Sequence, residues 1–386
     1  MEESDRLEKT ERTKKIAIGI GLFVLISFML KVASSITLPL GIAIFMFLIL
    51  NPMVNKMEQN RVPRWLAIIL VILVLICIFI LVFLFLSIAV NSLINRIPKY
   101  FTRFEDLLGS FTDNLGPVLG LTPEAGLSEL FDWKPMLINT ITAASGSVVS
   151  IVSNSLLIFI FVLFLMLERQ SLIPKFKVAL PSRGGMRIAI MFERINRQVS
   201  RYLVVKFVIS SITGFLFYLA SLSVGLDFAI IWGVLAFFFN FIPNIGSLVI
   251  TLLTILMSVI QFFPDYTRIL YVAIIMNLIQ VVMGNILDPR FQGNQLNLSP
   301  FVILVSLVYW GFIWGIMGMF LAVPIMAVVQ IICSNIKDLR PIAIIISSGK
   351  RYRAQIREED RRRKERYQRM REERRSVRRN NRTNHH

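Results

Sequence analysis

Ten residues in the C-terminal half interrupt strongly apolar sequence with polar side chains or conformationally special backbone. Asn240, Pro243, Asn244, Gly246 and Ser247 lie in FFFNFIPNIGS, and Asn285, Asp288, Arg290, Asn294 and Asn297 lie in GNILDPRFQGNQLN. An asparagine amide both donates and accepts hydrogen bonds, which suits a small solute with many hydroxyls or a partly dehydrated cation. A competing reading has Asn240 and Asn244 only capping broken helix ends. Asp288 stands at the end of an apolar run beside Pro289, where a charge is costly unless used or paired. Its plainer roles are an ion pair with Arg290 or a helix cap, and its functional role would be a proton or cation step.

Other chemistries find no residues. Both histidines, His385 and His386, are the last two residues, which removes a Ser-His pair or an H-E-x-x-H zinc site from the apolar body. Cys77 and Cys333 sit far apart in apolar runs and read as small buried hydrophobes. SSGKRY lacks the Gly-Lys-Ser/Thr end of a phosphate loop, so any energy comes from gradients or another subunit. We expect neither enzyme activity nor a cofactor nor a metal centre.

These residues need elements to hold them, and composition says which. The chain has 386 residues, 55% hydrophobic and 17% charged, with a mean hydropathy of +0.67. That balance is an integral membrane protein, not a soluble domain. Apolar runs fall at 16–30, 36–50, 65–90, 147–167, 203–223, 228–239, 245–263, 269–284 and 301–334. The basic start leads into the first run without a convincing cleavage site, so that run reads as a retained span. The stretch 16–50 is too long for one straight helix and carries Lys31, Ser34, Ser35 and Pro39 in its middle, predicting two spans and a tight turn.

Charge sets the orientation. The linkers 51–64 and 168–201 are basic, whereas 91–145 has four basic and six acidic residues. By the excess of Lys and Arg, the basic linkers and both termini are cytoplasmic and 91–145 faces out. From Lys337 onward there are 18 Lys/Arg against 7 Asp/Glu, most of the net charge of +18. This tail and the linker helix bearing Arg187, Arg194 and Arg201 on one face would meet anionic lipid headgroups. Little aromatic interleaving supports a specific nucleic-acid site in the tail. Outside, Phe101, Phe104, Leu108, Phe111 and Leu115 make one apolar stripe, against the membrane or a neighbouring subunit. Asp227 and Asp265 read as solvated ends. The resulting division is 1–90 (three spans), 91–145 (outer segment), 146–200 (fourth span and basic linker), 201–335 (core) and 336–386 (tail).

The core departs from simple spanning. The run 228–239 makes about 18 Å of helix, short of the roughly 30 Å hydrocarbon layer. Pro243 removes an amide donor and Gly246 permits a bend, so the chain turns at 240–246 and runs back. The run 301–334 would make about 51 Å, too long for one crossing, and Gly311, Gly315, Gly318 and Pro324 supply breaks and hinges. Two interrupted segments, each after a regular span, read as re-entrant hairpins in an inverted repeat. An arrangement in which every late segment crosses leaves the tail on the same side, so charge does not separate the two. Irregular backbone inside lipid is tolerated only where protein or a wet cavity satisfies it. The fold class is therefore an all-α polytopic membrane bundle with two broken-helix hairpins. No acid lies in the middle of a regular span, which disfavours a proton relay.

NFIPNIGS, GNILDPRFQGNQLNLSP and WGFIWGIMGMFLAVP, in this order, resemble the C-terminal hallmark of the autoinducer-2 exporter family, most closely over 201–335. Where that pattern carries an aromatic residue and a proline, this chain has Asn244 and Ser247. The resemblance implies a bacterial inner-membrane permease of about eight embedded segments, often oligomeric. It implies export of a small solute: a signalling furanone in namesake members, Na+ in exchange for H+ in others. The expectations are, in order, a secondary exporter of a small polar solute, a cation/proton antiporter, and a non-transporting membrane scaffold.

Overall fold

The computed structural model describes residues 2–119, 155–171, 183–292 and 296–349, with short pieces at 174–175, 178–179, 358, 360–363, 365–367 and 370. Asn294, the outer segment beyond 119, the start of the fourth run and most of the tail lie outside the described residues.

Helix α1 (Glu2–Val32) and α2 (Ser34–Gln59) are separated by one residue, Ala33, at φ −89° and ψ 23°. The Thr37 hydroxyl donates to the Leu30 carbonyl at 3.0 Å. In a continuous helix residues seven apart lie about 10 Å apart along the axis, so the chain bends sharply at the place where Lys31–Pro39 predicts a turn. Helix α3 (Arg64–Leu119) runs 56 residues, joining the third apolar run to the start of the outer segment and accommodating Pro98. Helix α4 covers 155–171. Helix α5 (Arg183–Val224) carries the basic linker and the next span as one element. No proline or glycine stands near 198–201 to separate them.

Then come α6 (Ala229–Phe239), α7 (Ile245–Phe262) and α8 (Tyr266–Gln280). Helix α8 continues through a π-helical stretch, Val281–Leu287, into α9 (Asp288–Gln292). Helix α10 (Pro300–Asn335) contains a non-helical residue, Gly315, at φ 65° and ψ −147°. After a short 3-10 turn, Lys337–Leu339, α11 (Arg340–Ile346) closes the main body. Among the described residues six helices are long and apolar enough to cross a membrane, and Ala17–Val32 and Ala229–Phe239 are shorter apolar helices. The protein is an all-α polytopic membrane protein.

Both breaks reverse the chain, and they do so by the same division of labour. Asn244 (φ 61°) and Gly315 (φ 65°) take the left-handed backbone. A few residues later, Gly246 and Gly318 let two arms touch: a Cβ on Gly246 would lie 1.8 Å from the Phe239 carbonyl oxygen, and one on Gly318 would lie 1.9 Å from that of Trp310. Gly246 thus serves close approach, not the bend expected from sequence. A Cβ on Gly311 would meet the Met319 side chain, so Gly311 faces the returning arm, in which Pro324 is buried.

Packing forms three clusters. One joins α2, the start of α3, α4, residues 199–203 of α5 and the returning arm of α10. A second fills the α5–α8 bundle around Phe217, Ile250 and Met276. At the α5–α6 crossing, Gly214 and Gly233 face each other so closely that a Cβ on either meets the other's carbonyl oxygen below 3 Å, the small-residue packing usual between membrane helices. The third cluster joins the two hairpins: Ile242 of the first packs with Leu307, Trp310, Ile313 and Ala322 of the second.

Candidate functional site

The sequence places candidates at both breaks, and the fold brings those two breaks together. Phe241 lies on Phe320 with ring centroids 4.1 Å apart, and Ile242 is buried beside Trp310. The junction is apolar at its centre. Its nearest polar features are Trp310 Nε1, buried with no hydrogen-bond partner among the described residues, and Asn240.

Asn240 is buried and its amide donates to Ser210 Oγ at 2.9 Å. Ser210 lies on α5 four residues after Lys206, so the two share one helix face one turn apart. Lys206 is 4% exposed and its ammonium meets Asp288 Oδ2 at 2.8 Å. The partner seen for Asp288 is therefore Lys206, 82 residues away, not the neighbouring Arg290, which is exposed. A buried lysine in an apolar span is expensive without a counter-charge, and the carboxylate at the far end of the π-helical stretch supplies it. Lys206 is the functional candidate that the sequence reading passes over. Its one available signal was a cation four residues inside the 203–223 run.

The other candidates separate. Asn244 is exposed, precedes α7 with positive φ, and its side chain makes no capping hydrogen bond; Ser247 Oγ donates to the Asn244 carbonyl at 2.9 Å. Neither amide caps a helix, so end-capping does not account for either of them. Pro243 completes the turn half-buried. Asn285 is exposed on the π-helical stretch. Asn297 (φ 45°) accepts from the Ser348 hydroxyl at 2.7 Å and from its amide at 3.1 Å, tying the loop before α10 to the end of α11. Gly311, Gly315, Gly318 and Pro324 belong to the second hairpin as described. A cavity of about 480 Å³ lies between α3 and the Gly214–Gly233 crossing, lined by groups such as Leu81, Phe215, Val234 and Phe237, and Phe237 in turn packs edge-on against Phe241 of the junction with ring centroids 5.4 Å apart.

Asp227, expected as a solvated end, is a node. It accepts from Arg96 at 2.8 Å and from the Tyr100 hydroxyl, both on α3, and its own amide donates to Gln261. Arg103 of α3 reaches the Phe263 carbonyl at 3.4 Å. The long helix α3 thereby grips both ends of the first hairpin. Burial, and then the hydrogen bond to Asp227, push the Tyr100 phenol above its usual range. Asp265 does act as an end, accepting from the Arg268 amide. At the opposite end of the bundle Asn51 donates to Asn196 at 3.1 Å, Arg169 donates to Asn55, and Arg64 reaches the Met166 carbonyl at 2.9 Å. No cluster of His, Cys, Asp or Glu able to hold a metal ion occurs among the described residues.

The profile of the AI-2E family transporters matches residues 18–338. A putative transport protein of Borreliella burgdorferi is 31% identical over 86% of this chain and 89% of its own length. The AI-2 transport protein TqsA of Escherichia coli K12 is 33% identical over 86% of this chain and 95% of its own. A putative transport protein of Bacillus subtilis, YueF, is 27% identical over 79% of this chain.

Proposed function

Because the chain belongs to the AI-2E family of transporters, a membrane transporter family, we propose that it is an inner-membrane secondary transporter. It exports a small polar solute of the furanone kind past the junction of its two broken helices. The observation that carries this reading is that junction itself. Phe241 and Phe320 close it with apolar contact, while Asn240–Ser210 and Lys206–Asp288 lie behind it on successive turns of α5. Rocking of one hairpin against the other would part the rings and open the polar row to one side at a time, the usual geometry of alternating access. The likeness to TqsA, an AI-2 transport protein, supports the solute class. Both termini are cytoplasmic in this reading, with the basic tail on anionic lipid.

Lys206–Asp288 favours a second reading, cation/proton antiport. A cation reaching Asp288 would compete with the Lys206 ammonium, and carboxylate and amine could pass a proton between them. Proteoliposomes with a pH dye inside separate the two. Solute efflux without a pH change, lost in Asn240→Leu, supports export. Na+-driven pH change, lost in Asp288→Asn with efflux intact, supports antiport. Equal efflux by wild type and Asn240→Leu removes the junction from the pathway.

A further inference from the structure

Where α5 and α6 cross, Gly214 and Gly233 put backbone against backbone and add no side chains of their own. The cavity of about 480 Å³ lies over that crossing. Leu81, Phe215 and Ile230 on its rim are exposed, so it opens sideways through apolar segments of α3, α5 and α6 into the hydrocarbon layer. The Ser211 hydroxyl donates to the Phe207 carbonyl at 2.8 Å, which leaves Tyr218 with the one other side-chain polar atom of the lining. A buried water needs roughly two to four polar partners, and a hydroxylated solute needs more, so neither suits the space. Left empty, its walls would forfeit dispersion contacts on one side.

Shape narrows the occupant further. The lining residues run over 211–218 on α5 and 230–238 on α6, about 10–12 Å of helix, so the recess is long in the direction of the spans. A matching length of helix from a second copy, about 10 Å across, would need roughly 800–900 Å³. A slender apolar chain needs far less. We propose that this cavity binds a single acyl chain of a membrane lipid, and that the bound chain keeps the junction shut by backing Phe237 against Phe241.

The route to the junction is a row of rings. Phe237 meets Phe241 at 5.4 Å between centroids, and Phe241 lies on Phe320 at 4.1 Å. Phe207 packs edge-on against Phe237 at 5.5 Å, and a Cβ on Gly214 would lie 3.1 Å from that of Phe237, so the stem of Phe237 is fixed and the cavity is the space into which its ring can turn. A chain in the cavity denies it that turn; withdrawal of the chain lets the ring swing and frees Phe241 from Phe320. The site stands apart from the export reading, whereas its hold on the junction rests on that reading and gives it a regulator.

The test places the full chain in phosphatidylcholine nanodiscs in which part of the lipid carries a diazirine in its acyl chain, and maps photoadducts by peptide. Adducts at Phe215 and Ile230 are expected in wild type. They should fall severalfold in Val234→Trp and in Leu81→Trp, which fill the cavity from opposite walls, while adducts at Leu248 and Leu252 on the exposed face of α7 persist. Whichever of the two variants keeps the wild-type melting temperature decides. Equal labelling of both faces, or no loss in that variant, means annular lipid only and overturns the site. A disulfide-linked pair of chains from Val234→Cys makes the cavity a contact between copies and overturns it too. The hold on the junction is read from Asn240→Cys, in a Cys77→Ser/Cys333→Ser background, by its rate with an aqueous thiol reagent. Adding Val234→Trp, a permanent occupant, should slow that rate severalfold; Phe237→Ala should raise it and abolish the effect of Val234→Trp. Equal rates in all of these overturn the hold on the junction even where the adducts are found. Adducts and altered rates in a protein without solute efflux remove the export reading alone.

Discussion

Gly246→Ala tests the reversal of the first hairpin directly. A Cβ built on Gly246 lies 1.8 Å from the Phe239 carbonyl oxygen, 2.7 Å from its carbon and 3.1 Å from Ile242 Cβ. Ordinary contacts begin beyond 3 Å, so the two arms must part by roughly 1 Å. The obstructing atoms are main chain, which cannot rotate aside as a side chain would. Overpacking a tight site costs about 1–3 kcal/mol and more where nothing yields, which places this change at or above about 3 kcal/mol. Gly284→Ala is the control, since nothing stands within 4 Å of its new Cβ. In a helix interior it should be neutral or stabilise by about 0.5–1 kcal/mol. Thermal unfolding in one detergent reads the difference, and efflux reads whether the parted arms still transport. Gly246→Ala as stable as Gly284→Ala would mean that the arms do not touch there, and the reversal would fall with it.

Lys206 is 4% exposed and Asp288 20%, so Asp288→Leu alone, which strands the buried ammonium, should destabilise by about 3–5 kcal/mol and Lys206→Met/Asp288→Leu by far less; additive losses across the double-mutant cycle would show that the two do not interact. Tyr100 gives a pH signature. Its folded pKa lies above its unfolded value near 10. Its contribution is therefore fully present below about pH 10 and lost as pH rises beyond it. Tyr100→Phe should flatten the alkaline fall in melting temperature, and an unchanged fall would remove Tyr100 from it. Cysteine placed at Asn240 in a Cys77→Ser/Cys333→Ser background should react with an aqueous thiol reagent faster during solute efflux than at rest; protection under both conditions would count against a path at the junction.

What the sequence made legible depended on range. Hydropathy counts neighbours within a span, so the membrane class, the turn near Lys31–Pro39 and the two breaks were all readable from local runs. Asn240, Gly246 and Gly318 were singled out because their residue types are wrong for uninterrupted helix. Long-range pairing was not readable. Asp288 looked for a partner two residues away at Arg290 and is paired with Lys206 82 residues away. A lone lysine near the edge of an apolar run also suits an ordinary interfacial residue, which hid it.

The role of each glycine was hidden for the same reason. A glycine that takes positive φ and one that admits another backbone are the same letter, and only the returning arm tells them apart. At the first break a different letter, Asn244, takes the left-handed backbone and leaves Gly246 free for contact. At the second break two glycines, Gly315 and Gly318, divide the same tasks. At φ 61° and ψ −51° Asn244 is the centre of a γ-turn closed by the Ile245 amide donating to the Pro243 carbonyl at 2.7 Å, a conformation strained for a residue with a side chain. The two reversals therefore reach one geometry, break followed by close approach, through different residues. A replacement should then be tolerated by task and not by residue type: Asn244→Gly should preserve folding and efflux, whereas Asn244→Val, β-branched at positive φ, should damage both. Equal behaviour of the two variants would separate the left-handed turn from the hairpin it is held to create.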